Sequence, residues 1–472
     1  MKNVAALADL VARGRTIHLM GVGGAGMAGL ALLMQARGAI VTGCDRESSA
    51  VTTDLIARGV SVKLGHGPEH SEGTDAVVHT AAVPSDHPEL ESARARGLPV
   101  VKRSQALADL VNSSRLVAIA GTHGKTTTTA LTAHAMQAVG LDPTALVGGR
   151  VPEWGGNARI GRPDVNVVEA DEYDRSFLLL RPTVAVVTSV EPEHLDTYAT
   201  AEEMEAAFDE FVDRVPEDGR VIACFDDPGA RRRLRRAGGR GLAYGFDGDA
   251  ILRAESVAFE PEGTRFSVRL DDEPIGEFQL ALSGRHNVLN ALAALGVVAA
   301  LGHDPAAASS ALEGFGGVER RFQILGDAAG VTVVDDYAHH PTEVEATLDG
   351  ARQVFGDRRL VVAFQPHLYS RTRALANEFG RALADADVVF VTGIYAAREE
   401  PLPGVSGRLV AEAARAELSG ERVHYMEALP DLLSALKAAL VPGDVLLTLG
   451  AGDIGETAHA VLNELSRSHV DA

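Results

Sequence analysis

Short apolar runs alternate with amphipathic stretches along most of the chain, and this pattern predicts strands and helices in turn. Over residues 15–112, the runs TIHLMGV, AIVTGCD and DAVVHTAAV are separated by two stretches predicted to be helical, about Gly26 to Arg37 and about Thr53 to Arg58. Strands and helices in this order are typical of a parallel sheet with helices on both faces. We therefore expect a Rossmann-like N-terminal domain.

The same alternation starts twice more. It restarts at RLVAIAGTHGKTTTT and again at VTVVDDYAHHP, from which it continues to GDVLLTLGAGD. Between Ile251 and Leu282, apolar and polar positions alternate instead, which predicts an antiparallel patch. Because 472 residues exceed what one hydrophobic core usually supports, we predict three α/β domains, over residues 1–113, 114–319 and 320–472. The central domain is expected to be of the P-loop type and the C-terminal domain Rossmann-like.

The charge balance excludes one class of partner. The chain has 44 Lys and Arg against 65 Asp and Glu, a formal net charge of −21. Nucleic-acid binding relies on an excess of basic residues that neutralise phosphates, so we expect no nucleic-acid partner. A phosphate ligand would have to be held locally, by backbone N–H groups, a bound cation and a few side chains.

Compartment and redox state follow from what the sequence lacks. No apolar run approaches the roughly 20 residues that span a bilayer, and the N-terminus has no cleavage-site pattern, so we expect no membrane insertion and a cytoplasmic location. The two cysteines, Cys44 and Cys224, cannot form a disulfide framework and lack metal-ligand spacing. Both are predicted to be buried small hydrophobic residues.

The stretch VAIAGTHGKTTTT joins an apolar strand to a helix through a glycine-rich turn, the arrangement of a phosphate-binding loop. Gly121 and Gly124 permit the tight turn, Lys125 reaches the β and γ phosphates, and the Thr126 hydroxyl is a ligand for Mg²⁺. The helix N-terminus adds N–H groups and a dipole that favour negative charge. The alternative is a glycine turn with no chemical role.

A second glycine-rich turn, Gly21 to Gly26, follows the first predicted strand. It suits a dinucleotide, with Asp45 about where a ribose-binding acid would lie, and so leaves an oxidoreductase open. Met27, Gly29 and the second phosphate loop fit a nucleotide diphosphate sugar at least as well. Asp45 is also open to interpretation as a turn residue at the end of a strand.

Two acidic clusters follow strands of the central domain. They are Glu169, Asp171, Glu172 and Asp174 in VVEADEYDRSF, and Glu191, Glu193, His194 and Asp196 in SVEPEHLDTY. Because ligands of open parallel sheets bind at the carboxyl ends of strands, we expect both clusters to converge on the phosphate loop and hold Mg²⁺. Solvated acidic loops are the alternative for Glu172, Asp174 and Glu193, and a structural role is the alternative for His194.

Nine motifs, in this order and spacing, resemble the Mur ligases: GVGGAGMAG, GTHGKTTT, EADEYDRSF, EPEHLDTY, GRHNVLNALAA, VERRFQ, DDYAHHPTE, FQPHLYSRT and GAGDI. The resemblance runs from about residue 15 to 456 and is strongest to the branch that adds L-alanine to UDP-N-acetylmuramate. It implies ATP-dependent amide formation through an acyl phosphate, in peptidoglycan precursor synthesis. The implied partners are small molecules, and the chain is expected to be a monomer or a homodimer.

The resemblance also implies roles for individual residues. The UDP-sugar would be bound by Gly21, Gly23, Gly24, Ala25, Gly26, Met27 and Asp45. ATP would be bound by Gly121, Thr122, His123, Gly124, Lys125, Thr126, Thr127, Asn287, Asn290 and Arg321. Mg²⁺ would be held by Thr126, Glu169 and His194, and the catalytic residues would be Lys125, Glu169, His194, Arg321 and Asp336. His286 and Asn287 are alternatively a helix cap, and Arg321 and Asp336 a domain-interface ion pair. The C-terminal domain is expected to swing onto the ATP domain and exclude water.

For L-alanine the resemblance implies Tyr337, His339 and Arg371, with Arg371 pairing with the carboxylate. Some relatives carry an arginine where this chain has Leu368, which leaves a second carboxylate contact in doubt. LDTYATAEEMEAAFDEFVDR contains no lysine, so the carbamylated lysine of several related ligases is missing. We expect no metal at the neighbouring His339 and His340.

Two other functions remain open from the sequence. One is a relative that attaches a preformed tripeptide to the same sugar nucleotide, or glutamate to a folate. The other is a nonenzymatic ATP switch or dinucleotide-dependent regulator, which would not need both acidic clusters.

Overall fold

The computed structural model describes residues 7–192, 197–260, 263–397, 399–418 and 420–470. The chain forms two compact units. One is made of Met1–Val257, Arg265–Ala281 and Val288–Gly316, and the other of Ala258–Thr264, Leu282–Asn287 and Gly317–Ala472. In the described part of the chain, no helix is both long and apolar enough to cross a membrane.

The first sheet has five strands in the order β3-β2-β1-β4-β5, and all neighbouring pairs are parallel. Its strands are β1 (Thr16–Met20), β2 (Ile40–Asp45), β3 (Ser61–Leu64), β4 (Ala76–His79) and β5 (Val100–Lys102). Its helices are α1 (Leu7–Ala12), α2 (Ala25–Ala36), α3 (Ala50–Ala57), α4 (Pro88–Ala95) and α5 (Arg103–Val111). The strand order reverses at β1, and in such sheets the ligand crevice lies at the reversal. The Rossmann-like N-terminal fold is confirmed.

The second sheet has ten strands in the order β15-β14-β13-β12-β11-β10-β6-β9-β7-β8. The strands are β6 (Arg115–Ala120), β7 (Pro143–Val151), β8 (Gly156–Arg159), β9 (Arg162–Glu169), β10 (Val184–Val187), β11 (Arg220–Cys224), β12 (Gly241–Gly245), β13 (Leu252–Glu260), β14 (Gly263–Leu270) and β15 (Glu273–Leu280). The helices are α6 (Lys125–Ala138), α7 (Ala201–Asp213), α8 (Pro228–Ala237), α9 (Arg285–Ala300) and α10 (Ser309–Gly314). Strands β13 to β15 fall where the alternating pattern predicted an antiparallel patch, and they belong to this ten-stranded sheet.

The third sheet has six strands in the order β16-β17-β21-β18-β19-β20, of which only the pair β16 and β17 is antiparallel. Its strands are β16 (Gln323–Ala328), β17 (Val331–Asp336), β18 (Leu360–Phe364), β19 (Val388–Thr392), β20 (Val423–Met426) and β21 (Val445–Leu449). Its helices are α11 (Pro341–Phe355), α12 (Tyr369–Ala382), α13 (Arg408–Glu417), α14 (Leu429–Ala439) and α15 (Ile454–Val470).

The central parallel strands are buried on both faces. Every residue of β18 and β21 is buried, as is every residue of β6 after Arg115. Helices on both faces of a parallel sheet bury its strands completely, which is why these segments read as continuous apolar runs. The polar side chains that matter for function accordingly lie in the loops at the strand ends.

Candidate functional site

The predicted phosphate loop connects β6 to α6 and depends on glycine at two positions. Gly121 has φ 138° and Gly124 has φ 78°, both in regions that residues with a side chain rarely adopt. A Cβ atom on Gly121 would also collide with the side-chain oxygen of Thr188. The two glycines therefore allow the loop to present its backbone N–H groups at the start of α6.

Lys125 is held on three sides. Its Nζ donates to the carbonyls of Gly121 at 2.6 Å and Thr122 at 3.2 Å, and it lies 2.9 Å from Glu172 Oε1. The Glu172 side chain is fully buried. The interpretation of Glu172 as a solvated loop acid is therefore wrong, because a buried carboxylate is stable only with a partner of opposite charge.

Thr126, one residue further along, faces the end of β9. Its hydroxyl donates to Glu169 Oε1 at 3.1 Å, while Glu169 Oε2 accepts from the backbone N–H of Gly148 at 2.6 Å. A hydroxyl and a carboxylate side by side are the hard oxygen ligands that Mg²⁺ prefers. The residues present thus fit the predicted cation, and the third predicted ligand, His194, lies outside the described residues together with Glu193 and Asp196.

The segment after β10 supports the other side of the phosphate loop. The His123 backbone N–H donates to Ser189 Oγ at 3.1 Å, and the Thr188 hydroxyl donates to the His123 carbonyl at 2.5 Å. His123 Nε2 also lies 3.4 Å from Glu191 Oε2. Sequence reasoning missed Thr188 and Ser189, although their position directly after an apolar strand was an available signal.

Thr127, Asn287 and Asn290 are all buried. Asn290 Oδ1 accepts from the Thr128 hydroxyl at 3.0 Å, and a Cβ atom on Gly124 would press against it. Asn290 therefore packs against the phosphate loop. Asn287 Nδ2 donates to the Ser283 carbonyl at 2.8 Å, a bond that ties α9 to a preceding residue but tests neither the cap interpretation nor contact with ATP.

The first glycine-rich turn leads from β1 into α2, with Met27 buried in the core. Asp45, at the end of β2, accepts from the Gly23 backbone N–H at 2.8 Å, and its other oxygen accepts from Arg46 N–H at 2.8 Å. Asp45 therefore fixes the turn that is predicted to receive the UDP-sugar. The seven residues predicted for that ligand, Gly21, Gly23, Gly24, Ala25, Gly26, Met27 and Asp45, all lie at this turn or on the strand end beside it.

One groove is lined by side chains that contact each of the two loops. Arg103, the first residue of α5, packs against Gly26, where an added Cβ would lie 3.0 Å from Nη1. Arg103 and Ser104 also line a groove whose opposite wall includes Glu169 and Asp171. A cationic side chain at the first loop thus shares one groove with the carboxylate that touches the second, and sequence reasoning missed Arg103.

The residues predicted for L-alanine are gathered at the carboxyl ends of the third sheet. The rings of Tyr337 and His339 are 5.2 Å apart, and the ring of His367 lies 5.6 Å from that of His339. Arg371 Nη1 donates to the His339 carbonyl at 3.5 Å, and His339 Nδ1 lies 3.1 Å from Glu343 Oε2. The structure brings all three predicted residues together, with His367 as an added member.

Leu368, the position where some relatives carry arginine, has φ 66° and ψ 137°. Such a backbone is strained for a side chain with a Cβ and is common at functional sites. Its N–H donates to the Tyr395 carbonyl at 3.0 Å, which holds the segment in place. The strained backbone at Leu368 supports a functional role for the His367–Arg371 segment.

Asp336, at the end of β17, is a buried carboxylate that organises the same region. It accepts from the backbone N–H groups of Phe322 at 2.5 Å and Ala338 at 2.7 Å. Burial raises the pKa of Asp336 to about 6, although the nearby charge of Arg321 lowers it. The Arg321 guanidinium lies 5.1 Å from the centre of the Tyr337 ring. Arg321 and Asp336 are thus brought together beside Tyr337, one of the residues predicted to bind L-alanine.

Two further residues, His286 and Arg320, lie close to Arg321 in the fold or the sequence. His286 is partly buried, and desolvation together with the charge of Arg321 lowers its pKa to about 4. Arg320, which sequence reasoning passed over for Arg321, pairs with Asp335 at 3.0 Å and donates to the carbonyls of Gly450 and Gly452. Those contacts hold the GAGDI motif in place, and glycine is needed at Gly450 and Gly452 because a Cβ atom there would collide with Gln365.

Family models match three successive parts of the chain: "Mur ligase family, catalytic domain" over residues 16–115, "Mur ligase middle domain" over 119–298 and "Mur ligase, glutamate ligase domain" over 320–452. The UDP-N-acetylmuramate--L-alanine ligase of Anaeromyxobacter sp. (strain Fw109-5) is 48% identical, over 93% of this chain and 95% of that protein.

Two solved structures are also similar. The UDP-N-acetylmuramate-alanine ligase of Thermotoga maritima aligns with a TM-score of 0.82 and 29% identity, over 96% of this chain and all of that one. A murein peptide ligase of Psychrobacter arcticus aligns with a TM-score of 0.71 and 26% identity, over 96% of this chain and 99% of that one. The chain therefore belongs to the Mur ligase family.

Proposed function

We propose that the chain is an ATP-dependent ligase that joins L-alanine to the carboxylate of UDP-N-acetylmuramate. The products are UDP-N-acetylmuramoyl-L-alanine, ADP and phosphate, in peptidoglycan precursor synthesis. The observation that carries the proposal is the groove in which Arg103, packed on the first glycine loop, faces Glu169, bonded to the second. Such a groove suits a ligand that is bound at one loop and reacts at the other.

The chemistry begins with a carboxylate, which does not accept an amine at neutral pH because its oxygen is a very poor leaving group. A carboxylate oxygen attacks the γ-phosphorus of ATP, an O–P bond forms, and the bond to ADP breaks. The amine of L-alanine then attacks the acyl carbon and loses a proton, and phosphate leaves with the former carboxylate oxygen. The protein must hold several anions together and neutralise the charge that develops.

Lys125 supplies one positive charge for this task. Its Nζ lies beside the loop that leads into α6. Backbone N–H groups at the start of a helix stabilise a polyphosphate. We assign Lys125 to the γ-phosphate and Glu172 to holding the lysine when no phosphate is present. The ion pair at 2.9 Å supports this assignment because it keeps Nζ beside the loop.

Thr126 and Glu169 would hold Mg²⁺ with the phosphate oxygens, as would His194. A divalent cation there supplies charge that this acidic chain lacks, and it screens the repulsion between ATP and the sugar carboxylate. The chain's own contribution is to fix the Thr126 hydroxyl and the Glu169 carboxylate 3.1 Å apart, with Gly148 N–H orienting the second carboxylate oxygen.

We assign the first loop, Gly21 to Gly26, to the UDP part of the sugar nucleotide and Arg103 to an anionic group of that substrate. The third sheet would bind L-alanine, with Arg371 pairing with its carboxylate and Tyr337 and His339 beside it. Asp336 and Arg321 would position the turn that carries Tyr337, since Asp336 accepts from the backbone N–H of Ala338 in that turn and from that of Phe322, next to Arg321.

We further propose that the enzyme works in the cytoplasm, where ATP and nucleotide sugars are made, as a monomer or a homodimer. The test of function is phosphate release by the purified chain supplied with ATP, Mg²⁺, UDP-N-acetylmuramate and one amine substrate. We expect release that depends on L-alanine. Release that depends on the tripeptide L-alanyl-γ-D-glutamyl-meso-diaminopimelate instead would contradict the assignment and favour a murein peptide ligase.

A further inference from the structure

A buried cluster of side chains of metal-binding types lies within the first sheet, next to the first glycine loop, and is not used by the proposed reaction. His18 on β1, Cys44 on β2 and Glu89 on α4 are each at most 1% exposed. His66 and His70, from the segment after β3, approach the same carboxylate. A histidine, a thiol and a carboxylate seldom meet in a hydrophobic core without a specific reason.

The spacing of the donor atoms suits a single ion. One ligand atom each from His18, Cys44 and Glu89 lie within 4.8 Å of one another. His18 Nε2 is 2.9 Å from Glu89 Oε1, and Cys44 Sγ is 3.6 Å from the same oxygen. His66 Nδ1 is 3.0 Å from Cys44 Sγ and 4.0 Å from Glu89 Oε2. Ligands about 2.0 to 2.3 Å from a tetrahedral zinc are separated by similar distances.

The surrounding contacts orient these donors. His18 Nδ1 lies 2.9 Å from Thr42 Oγ1, which fixes the ring with Nε2 toward Glu89. Glu89 Oε2 accepts from the Gly67 backbone N–H at 3.1 Å. Outer contacts of this kind commonly fix the tautomer and direction of metal ligands.

His70 provides an independent observation. Its side chain is 9% exposed, and its Nδ1 is buried without a hydrogen-bond partner, 3.9 Å from Glu89 Oε2. A buried imidazole nitrogen aimed at the cluster is unsatisfied unless something between the side chains accepts its lone pair.

We propose that His18, Cys44 and Glu89, with His66 or His70 as the fourth ligand, bind a structural zinc ion in the N-terminal domain. The mixed thiol, imidazole and carboxylate set favours zinc over Mg²⁺ or Ca²⁺, which take oxygen ligands. The alternative is a metal-free hydrogen-bond network. In that state burial, followed by the charge of Glu89, raises the pKa of the Cys44 thiol, which stays neutral. The absence of sequence spacing for a metal motif is explained by the fold, which gathers the ligands from two strands, a loop and a helix.

The position of this site, next to Asp45, indicates how a bound ion would stabilise the first glycine loop. It would tie β1, β2 and α4 together directly behind Asp45, whose carboxylate holds the Gly23 backbone N–H. Zinc would thus stiffen the turn assigned to the UDP-sugar without touching the substrate. Loss of the ion is expected to loosen that turn and lower thermal stability.

The test is the zinc content of the full-length, tag-free protein, purified from zinc-supplemented cells without chelator and measured by mass spectrometry. We expect about one zinc per chain, and at least about a tenfold lower content in Cys44→Ser and in Glu89→Gln. Cys224→Ser is the matched control, because Cys224 is also a buried free cysteine but lies on β11 in the second sheet, so it should keep its zinc.

A second measurement needs no variant that might fail to fold. Wild-type protein exchanged into Co²⁺ should show the absorption of a thiolate–cobalt bond, and Zn²⁺ should abolish it. Wild-type protein with neither bound zinc nor this absorption, and with a melting temperature that Zn²⁺ does not raise, would overturn the proposal in favour of the hydrogen-bond network. None of these readouts depends on ligase activity.

Discussion

Lys125 lies between two backbone carbonyls and a carboxylate that has no exposure to solvent. Glu172 balances the charge of Lys125 in this place, so the lysine is available to a phosphate but is paired when no phosphate is bound. Glu172 therefore contributes to stability chiefly when ATP is absent.

We predict that Glu172→Gln lowers the free energy of unfolding by about 1–3 kcal/mol without nucleotide, because it replaces the buried carboxylate 2.9 Å from Lys125 Nζ by a neutral amide. A nonhydrolysable ATP analogue with Mg²⁺ should narrow the difference from the wild type, since phosphate replaces the lost carboxylate. Chemical denaturation with and without the analogue measures both quantities.

Asp174→Asn is the matched control, because Asp174 is half-exposed and pairs with an exposed lysine, Lys102, at 3.1 Å. Its effect should stay within about 0.5 kcal/mol. An equal loss in both variants, unaffected by the ATP analogue, would show that Glu172 does not stabilise Lys125.

Arg371 is the residue assigned to the carboxylate of L-alanine. Arg371→Ala should raise the KM for L-alanine by at least about tenfold, with a much smaller change in the KM for ATP, because a charge-assisted pair is lost from one substrate only. Arg373→Ala is the control, since Arg373 is an exposed neighbour on α12 and should leave both values unchanged. Equal increases in both KM values for Arg371→Ala would remove it from the alanine site.

Sequence reasoning found most of these residues but not their contacts. Lys125, Thr126 and Glu169 were visible because glycine loops and strand ends have recognisable surroundings. Glu172 was missed as a buried partner, because the acid that turns inward depends on the path of the 3₁₀ segment Tyr173–Leu179, where Asp174 and Arg175 have positive φ. Arg103 was missed because its neighbour Gly26 is far away in the sequence.

The phosphate loop shows how one strand-to-helix connection depends on its glycines. Gly121→Ala should abolish ATP binding and lower the free energy of unfolding by more than about 2 kcal/mol, through backbone strain at φ 138° and collision with Thr188. Isothermal titration with ATP and thermal unfolding measure the two effects.

Gly239→Ala is the control for that substitution, because a Cβ atom there meets nothing within 4 Å. We expect a change within about 0.5 kcal/mol and normal ATP binding. Wild-type ATP affinity in Gly121→Ala would mean that this connection does not hold phosphate.

Asp336, at the end of β17, and His286, on α9, have pKa values displaced in opposite directions. Asp336 titrates near 6 in the folded chain against an ordinary value of 3.8, so its protonated form favours folding and its contribution is lost as pH rises through about 6. His286 titrates near 4 against 6.5, so its contribution grows as pH rises from about 4 to 6.5. Each shift corresponds to about 3 kcal/mol, and the two nearly cancel between pH 4 and 6.

Removing either group should reveal the pH dependence of stability that the other group causes. Asp336→Asn should make stability rise with pH between about 4 and 6.5, relative to the wild type, and His286→Gln should make it fall between about 4 and 6. Chemical denaturation at a series of pH values measures both slopes. Two variants with the wild-type pH profile would show that neither group is held as the structure indicates.

The element order was predictable because each parallel strand is a short apolar run bounded by glycine or polar residues. The first long helix was predicted at about Gly26 to Arg37 and spans Ala25–Ala36. Helix α3 was predicted to begin at about Thr53 but begins at Ala50, because the Ser49 side chain caps it by accepting from the Thr52 N–H. Ten strands in one sheet were not predictable, since β7 and β8 carry little apolar periodicity of their own.

For the molecule as a whole, the sequence predicted three α/β domains, and three sheets are present within an established family. The predicted limits near residues 113 and 319 remain a prediction, because the chain divides into two compact units rather than three. A net charge of −21 on a chain that is assigned several anionic ligands is reconciled by local devices, namely Lys125, Arg103 and a cation at Thr126 and Glu169.

The central claim is that ATP activates the sugar carboxylate as an acyl phosphate before L-alanine attacks it. The most direct test uses UDP-N-acetylmuramate labelled with ¹⁸O in its carboxylate, with ATP, Mg²⁺ and L-alanine, and follows the label by mass spectrometry. We expect one labelled oxygen per turnover in the released phosphate, together with ADP. Label found in AMP, or phosphate that carries none, would contradict the central claim.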